Sequence, residues 1–312
     1  MSATRRTDLL LAALLLALLV LGPLLPTWQF LATVALAKGF AVLGLLLLMR
    51  TGLVSFGQAL FYCLGAYAAG SLGLFFGITD ALLLVLAGML VATLVALVLG
   101  FLMANYRDIF FAMLSLAFSM VLYGLLVKSE ALGSTDGFNL APPTLFGQAL
   151  SGAGGQYPLY AFTCVLAALA AWALNHYFDT ALGRLSPAIR DNEIRVEYMG
   201  ASVRSAIHVK YAIAAALTGA GGALAAMTVG HIDPETAYWT TSGEFVFVAI
   251  LAGSGSIIAP FFGSLIFEVT RSVATQYAPN TWQLALGTAM LLIIALLPGG
   301  LWSLFRKRRR EA

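Results

Sequence analysis

Charged side chains are scarce in this sequence of 312 residues. Only 10% of its residues are charged and 61% are hydrophobic, whereas a typical soluble domain has about 25% charged and about 45–50% apolar residues. The mean hydropathy is +0.92. Because so few charges could neither cover the surface of a soluble domain nor keep a disordered chain solvated, both classes are excluded. The composition indicates an integral membrane protein with no separate soluble catalytic domain.

Cysteine is also scarce, and the sequence lacks the motifs of common enzyme classes. Cys63 and Cys164 lie inside long apolar runs, which excludes a disulfide framework and favours small buried side chains. There is no glycine-rich phosphate-binding loop, no metal-binding spacing of His, Cys, Asp and Glu, and no nucleophile motif. We therefore expect no enzymatic activity and no bound cofactor or metal in this chain.

Long apolar segments are what the sequence has in abundance. Charges and turn residues divide it into ten such segments, most of them close to the ~20 residues that cross a bilayer as a helix. They predict an all-α fold, a polytopic transmembrane helix bundle of about ten spans (8–10), in a single domain over 1–312. The predicted spans are 9–25, 28–49, 53–77, 81–104, 109–128, 158–178, 209–229, 243–254, 257–277 and 281–298.

Basic residues predict the orientation of these spans. If both termini lie in the cytoplasm, most of the 17 basic residues fall in inner segments, as the positive-inside rule requires. The basic tail at 306–312 then anchors the topology and attracts anionic membrane lipid. We expect no nucleic acid among the partners.

The segment at about 180–209 is the longest and most charged inner stretch. Pro187 suits the first turn of a helix, which predicts a helix of about a dozen residues here. This helix carries Ile189, Val196 and Met199 among charges of both signs. It either lies on the lipid headgroups or docks in a groove of a cytoplasmic partner, with the apolar residues as anchors.

Lys38 and Glu268 lie well inside predicted spans, where charged side chains are costly and usually functional. Lys38 is central in its span, and Glu268 is the only acid well inside any span. Glu268 can form a local pair with Arg271, and Lys38 can snorkel or contact a carbonyl group. The more specific hypothesis is a pair between Lys38 and Glu268 across the bundle.

The third predicted span is rich in glycine and polar residues. Small residues allow helices to pack closely, and Ser55 and Gln58 share one helix face that can line a solute path. We predict both uses, on opposite faces. The residues predicted to lie along a translocation path are Lys38, Ser55, Gln58, Phe61, Tyr67 and Glu268.

Three runs of residues carry a resemblance to a known family. Residues 188–193 read Ala-Ile-Arg-Asp-Asn-Glu, residues 55–61 read Ser-Phe-Gly-Gln-Ala-Leu-Phe, and residues 253–256 read Gly-Ser-Gly-Ser. Together they resemble the permease subunits of branched-chain amino acid ABC importers, the LivM type. The resemblance covers most of the chain, from about residue 50 to about residue 270.

The resemblance implies a subunit of a pump for branched-chain amino acids in the bacterial cytoplasmic (inner) membrane. The implied partners are a second permease subunit, of the LivH type or a second copy, two cytoplasmic ABC ATPase subunits that bind ATP and Mg, and a periplasmic solute-binding protein. The helix from Ile189 to Met199 would be the coupling helix that contacts the ATPases. Its implied coupling residues are Ile189, Arg190, Asp191, Asn192, Glu193, Val196 and Met199.

Other functions stay open at this point. The same machine could carry urea, amides or aromatic acids, because nothing in the spans identifies the solute. A stand-alone ion-coupled secondary transporter could use Lys38 and Glu268 as its coupling charges. An intramembrane enzyme is disfavoured, since the spans offer no paired carboxylates and no set of Ser and His.

Overall fold

Helices make up most of the computed structural model, which describes residues 3–145, 147–150, 156–277, 279, 281–296 and 300–302. The helices are α1 (Ala3–Leu21), α2 (Pro26–Met49), α3 (Gln58–Phe76), α4 (Ala81–Met103), α5 (Asp108–Val127), α6 (Tyr157–Asp179), α7 (Ala181–Asp191), α8 (Glu193–Tyr198), α9 (Val203–Val229), α10 (Trp239–Ala252), α11 (Ala259–Tyr277) and α12 (Trp282–Leu296). Short 3-10 helices lie at Gly22–Leu24, Glu130–Leu132 and Pro234–Ala237. Two-residue strands lie at β1 (Phe138–Asn139), β2 (Thr144–Leu145), β3 (Gln148–Ala149) and β4 (His231–Ile232). The described residues therefore form the helical bundle that the sequence predicts.

The predicted spans correspond to helices of the described residues. Seven of these helices, α1 to α6 and α9, are long and apolar enough to cross a membrane. Helix α10 is shorter, with 14 residues. The number of spans and the cytoplasmic location of the termini stay predictions. The basic tail at 306–312 lies outside the described residues.

Helices α2 and α9 form the centre of the bundle. We compare the buried share of residues in an apolar 18-residue stretch of each helix. This share is 78% in α2 and 72% in α9, but 22% in α5 and 11% in the stretch that contains most of α1. Helix α9 packs along α2, α3 and α4, and α11 and α6 also pack on α2. The peripheral helices expose broad apolar faces, as expected of a bundle that is surrounded by lipid.

Glycine lets α9 approach α3 and α4 closely. Gly219 in α9 lies against the backbone of Gly65 in α3 and of Gly88 in α4, and a Cβ atom built on any of the three would meet backbone atoms of another. Small residues at helix crossings in membranes allow this close approach. The predicted packing role of small residues in the third span is confirmed at Gly65.

The connection between α5 and α6 packs on the connection between α9 and α10. Strands β1 and β4 are antiparallel, with Phe138 opposite Ile232. The Phe138 ring contacts Tyr67 of α3 edge-on, with 5.7 Å between the ring centroids. The two connections therefore cover one end of the bundle. Cys63 and Cys164 are buried in the apolar core, as the sequence predicts.

Candidate functional site

Helix α3 begins in the interior of the bundle. Its first residue, Gln58, is fully buried, and Thr218 Oγ1 donates a hydrogen bond of 2.7 Å to Gln58 Oε1. Thr218 lies near the middle of α9, so the start of α3 lies at that depth. The preceding residues, Leu53 to Gly57, are not helical. The predicted span 53–77 is therefore wrong at its start, where an apolar segment enters the bundle as irregular chain.

Helix α10 begins close to the start of α3, and it becomes buried at Ser242. The 3-10 helix Pro234–Ala237 precedes it, and Ser119 Oγ, near the middle of α5, donates to the Ala237 carbonyl oxygen at 2.7 Å. Ser242 Oγ in the first turn of α10 accepts a hydrogen bond from Ala59 N–H of α3 at 3.2 Å. The N-terminal ends of α3 and α10 therefore meet. Pro234 and Ala237 of this 3-10 helix are buried.

Buried polar side chains surround this junction and form what we call the polar seam. Ser115 Oγ accepts a hydrogen bond from Phe56 N–H at 3.0 Å, and Gly57 lies against the Ser115 carbonyl. Gln58 Nε2 is buried and has no hydrogen-bond partner within the described part of the chain. The polar seam consists of Ser55, Gln58, Ser115, Ser119, Thr218 and Ser242, all of them buried.

The polar seam offers hydrogen-bond donors in an apolar surrounding. Helix N-terminal ends carry unpaired N–H groups and a partial positive charge. Irregular backbone at membrane depth is tolerated only where it is enclosed by protein or lines a water-filled cavity. Discontinuous helices of this kind hold the anionic groups of substrates in several transporters. Such a geometry would suit a polar solute.

The predicted path residues before and within α3 separate into two groups. The prediction that Ser55 and Gln58 share a helix face is wrong, because Ser55 precedes the helix. Ser55 and Gln58 belong to the polar seam, whereas Phe61 and Tyr67 pack in aromatic surroundings. The Phe61 ring lies edge-on to Tyr211, with 5.3 Å between the centroids, and Tyr67 lies against Phe138. The sequence indicated Ser55 and Gln58 by their polarity, but it gave no sign of the serines on α5 and α10 that join them.

A cluster of four charged side chains lies beside the seam, and we call it the charge cluster. Lys38 Nζ is 2.5 Å from Glu268 Oε1 and 2.5 Å from Glu244 Oε1. The side chains of Lys38, Glu244 and Glu268 are 15%, 18% and 11% exposed. Arg271 Nη1 is 3.4 Å from Glu244 and 4.0 Å from Glu268. The predicted contact between Lys38 and Glu268 is confirmed, and the charges of the cluster balance.

Glu244 was missed by the sequence prediction. It is the second residue of the predicted span 243–254, and a charge at that position is consistent with the end of a span. Helix α10 begins earlier, at Trp239. Glu244 follows Ser242 of the polar seam by two residues, and its neighbour Phe245 contacts Tyr62 of α3. Helix α10 thus connects the charge cluster with the polar seam.

The charged segment after α6 forms two helices where the sequence predicted one. Helix α7 begins at Ala181, and the Thr180 hydroxyl accepts a hydrogen bond from Gly183 N–H at 3.2 Å as its N-cap. Pro187 lies inside α7, so the predicted start is wrong. Asn192 separates the helices, and its Oδ1 caps α8 by accepting from Arg195 N–H at 2.9 Å.

The apolar residues of this segment do not all face outward. Ile189 and Val196 are 2% and 3% exposed and pack in this chain's own core. The prediction that they anchor a partner is therefore wrong, because they are covered already. Met199 is exposed, and so are Ile194 and Tyr198, which the sequence prediction left out.

The predicted polar coupling residues surround this exposed patch. Arg190, Asp191 and Asn192 are exposed. Glu193 accepts a hydrogen bond of 2.6 Å from Arg107 Nε, which ties α8 to the start of α5. The exposed face of α7 and α8 therefore combines charges of both signs with apolar side chains, and we call it the docking face.

The sequence is similar to known permease components. Residues 28–295 match the family model described as the permease component of branched-chain amino acid transport systems. The high-affinity branched-chain amino acid transport system permease protein LivM of Escherichia coli is 28% identical, over 94% of this chain and 75% of the relative. The protein of the same name from Salmonella typhimurium is 28% identical, over 82% of this chain and 65% of the relative. No solved structure matches the chain.

Proposed function

The chain belongs to the family of permease components of branched-chain amino acid transport systems, and on that premise we propose that it is a membrane-spanning subunit of an ATP-binding-cassette importer. The family match and the long apolar helices make it a multi-pass membrane protein. In this proposal it moves branched-chain amino acids across the bacterial cytoplasmic membrane. ATP and Mg bind to partner ATPase subunits, since this sequence has no phosphate-binding loop.

The observation that carries the proposal is the polar seam where α3 and α10 meet. Gln58 offers a buried amide group with an unused donor, and two helix N-terminal ends lie beside it. The carboxylate of an amino acid is the kind of group that such ends stabilise. The aliphatic side chain of the solute suits the apolar residues that surround the seam.

The docking face supplies the connection to the energy source. Apolar side chains that protrude from a short helix fit a groove of a partner, and the charges around them fix the register. We propose that two ATPase subunits bind this face and the equivalent face of a second permease, of the LivH type or a second copy. ATP-driven closure of the ATPases would then move α7 and α8 and tilt the spans. A periplasmic binding protein would deliver the solute.

A stand-alone secondary transporter is the competing function. Its coupling charges would be Lys38 and Glu268, and such groups must change protonation or partner during transport. Within the described residues Lys38 already contacts two carboxylates, and Arg271 contacts both of them as well. A balanced cluster of this kind favours a structural role for these charges.

Purification and reconstitution test the proposal. The tagged chain is purified from its native host in mild detergent, and the copurifying proteins are identified by mass spectrometry. The complex is then placed in liposomes with ATP inside and binding protein outside, and uptake of labelled leucine is measured. We expect two ATPases and a second permease to copurify, and uptake to require ATP and to be inhibited by isoleucine and valine.

Two results would contradict the proposal in different ways. Uptake by the chain alone, without ATP, would show a secondary transporter. Uptake could also depend on ATP but be inhibited by urea, an amide or an aromatic acid and not by valine. This result would support an ATP-driven importer and assign it a different solute.

A further inference from the structure

A groove lies between the ends of α4 and α9, away from the polar seam and the charge cluster. Its volume is about 370 Å³, and its lining includes Phe101, Asn105, Arg204, Ser205 and His208. The lining contains a guanidinium, an imidazole, an amide and a hydroxyl group, and no carboxylate occurs among the lining residues that the structure describes. This combination suits an anion with several acceptor oxygens. We call it the headgroup groove.

The guanidinium group of Arg204 has no partner among the residues that the structure describes. Its side chain is exposed and makes no hydrogen bond or ion pair with any residue that the structure describes. Arg107 nearby differs, because Glu193 neutralises it. Arg204 also lies in the first turn of α9, and the positive end of a long helix adds to the attraction for an anion. The strongest positive charge of the groove is therefore free for a ligand.

His208 is held in a fixed position at the side of the groove. Its ring contacts the Phe101 ring edge-on, with 4.5 Å between the centroids, and it lies against Gly100 of α4. The His208 side chain makes no hydrogen bond with any described residue, so its ring nitrogens remain available. Asn105 Nδ2 donates to the Phe101 carbonyl oxygen at 2.9 Å, which orients this lining amide.

The groove opens onto a lipid-facing surface. Leu94, Val98 and Phe101 follow each other at spacings of four and three residues and so share one face of α4. All three are exposed, and Val98 and Phe101 are 71% and 73% exposed. An apolar face of this kind in a membrane bundle contacts acyl chains. A phosphate in the groove would lie where such chains end.

We infer that the headgroup groove binds the phosphate of an anionic phospholipid, whose acyl chains lie along the exposed face of α4. Arg204 forms an ion pair with the phosphate, and His208, Asn105 and Ser205 donate hydrogen bonds. The apolar face distinguishes a lipid from free phosphate, which would gain nothing from it. Basic pockets between transmembrane helices hold anionic headgroups in this way. The inference does not depend on which solute is transported.

Native mass spectrometry of the full-length protein tests the inference. The protein is released from detergent micelles that contain equal amounts of phosphatidylglycerol and phosphatidylcholine, and the lipids that stay bound are counted. We expect phosphatidylglycerol to be retained preferentially, and Arg204→Gln to lower its apparent affinity about fivefold, the usual contribution of one basic residue at an anionic surface. Arg204→Lys keeps the charge and should keep most of the preference.

A matched control and a second ligand complete the experiment. Arg184→Gln removes another exposed arginine, on α7, and should leave the lipid preference unchanged. Gel filtration shows that each variant folds. Inorganic phosphate is titrated against the same protein, and we expect no competition at concentrations where phosphatidylglycerol binds.

Four outcomes would overturn the inference. Equal retention of the two lipids would indicate only nonspecific attraction. An equal loss of phosphatidylglycerol affinity in Arg184→Gln and Arg204→Gln would indicate the same. Competition by inorganic phosphate would make the site one for the free anion. Loss of copurifying ATPases in Arg204→Gln, with unchanged lipid retention, would make the groove part of a protein contact.

Discussion

Lys38 Nζ lies 2.5 Å from Glu268 Oε1, across 230 residues of sequence. The contact joins α2 to α11, and Glu244 of α10 completes it from a third helix. In an apolar bundle a lone charge is far more costly than a paired one. The charge cluster therefore fixes how these three helices pack.

Removal of Lys38 should strongly destabilise the protein. Lys38→Met leaves two partly buried carboxylates whose one remaining cationic neighbour among the described residues is Arg271, and breaking a buried ion pair in this way costs about 3–5 kcal/mol. The free energy of unfolding is measured by titration with dodecyl sulfate in mixed micelles. Lys128→Met, which removes a lysine just after α5, serves as the control and should cost little.

Exchanging the two charges tests whether Lys38 and Glu268 act as a pair or contribute individually. Lys38→Glu combined with Glu268→Lys keeps two acids and one lysine in the cluster, so the double variant should regain most of the stability and transport that each single charge reversal loses. Independent, additive losses in the double variant would show that the pair does not act as a unit.

Gln58 should be essential for transport although it contributes little to folding. Gln58→Leu keeps the volume but removes both the hydrogen bond to Thr218 and the unused donor of the polar seam. We expect leucine uptake by the reconstituted complex to fall at least about tenfold, which corresponds to loss of one recognition interaction of about 1.4 kcal/mol. Thr163→Val, which removes a buried hydroxyl bonded within its own helix, should keep normal uptake. Equal uptake in both variants would show that the polar seam does not line the translocation path.

Gly65 should not tolerate a side chain. Its Cβ position is blocked by the backbone of Gly219, so Gly65→Ala must push α3 away from α9, at a cost of about 1–3 kcal/mol. Gly124→Ala in α5 is the matched control, because nothing lies within 4 Å of its Cβ position. It should be neutral or slightly stabilising, since alanine favours helices. Thermal unfolding followed by tryptophan fluorescence distinguishes the two, and similar midpoints would argue against the close crossing.

Tyr198 and Ile189 should have opposite effects. Tyr198 is exposed and Ile189 is buried. Tyr198→Ser should therefore reduce the amount of ATPase that copurifies without changing the stability of the chain. Ile189→Ala should lower the free energy of unfolding by about 2–5 kcal/mol, as a truncation in a core does. If Tyr198→Ser copurifies with ATPase as the wild type does, the docking face lies elsewhere.

The sequence was most informative where charge is rare. In an apolar chain a charged side chain is costly without a partner, so the scarcity of internal charges suggested the pair of Lys38 and Glu268 beside the local alternatives. Glu244 escaped the same reasoning because the start of α10 was placed after Trp239. The boundary, and not the chemistry, was the missing information.

Other features depend on contacts that no local pattern specifies. Leu53 to Gly57 have the apolar composition of a span, and only the packing of Gly57 against Ser115 shows why the chain is irregular there. The apolar side chains of Ile189 and Val196 on a charged helix likewise predicted anchors for a partner. The sequence did not reveal that these two residues meet the protein's own core instead.

The long separation within the charge cluster also has a consequence for biosynthesis. Lys38 emerges from the ribosome 206 residues before Glu244 and 230 residues before Glu268. At translation rates of about 5–20 residues per second, this delay is roughly 10–45 s. During that time α2 must reside in the bilayer with an unneutralised ammonium group. The favourable transfer of its apolar residues into the bilayer has to outweigh the cost of that charge. A nascent chain that stops before α10 keeps this lone charge, and it would thereby present an incomplete protein to the membrane proteases.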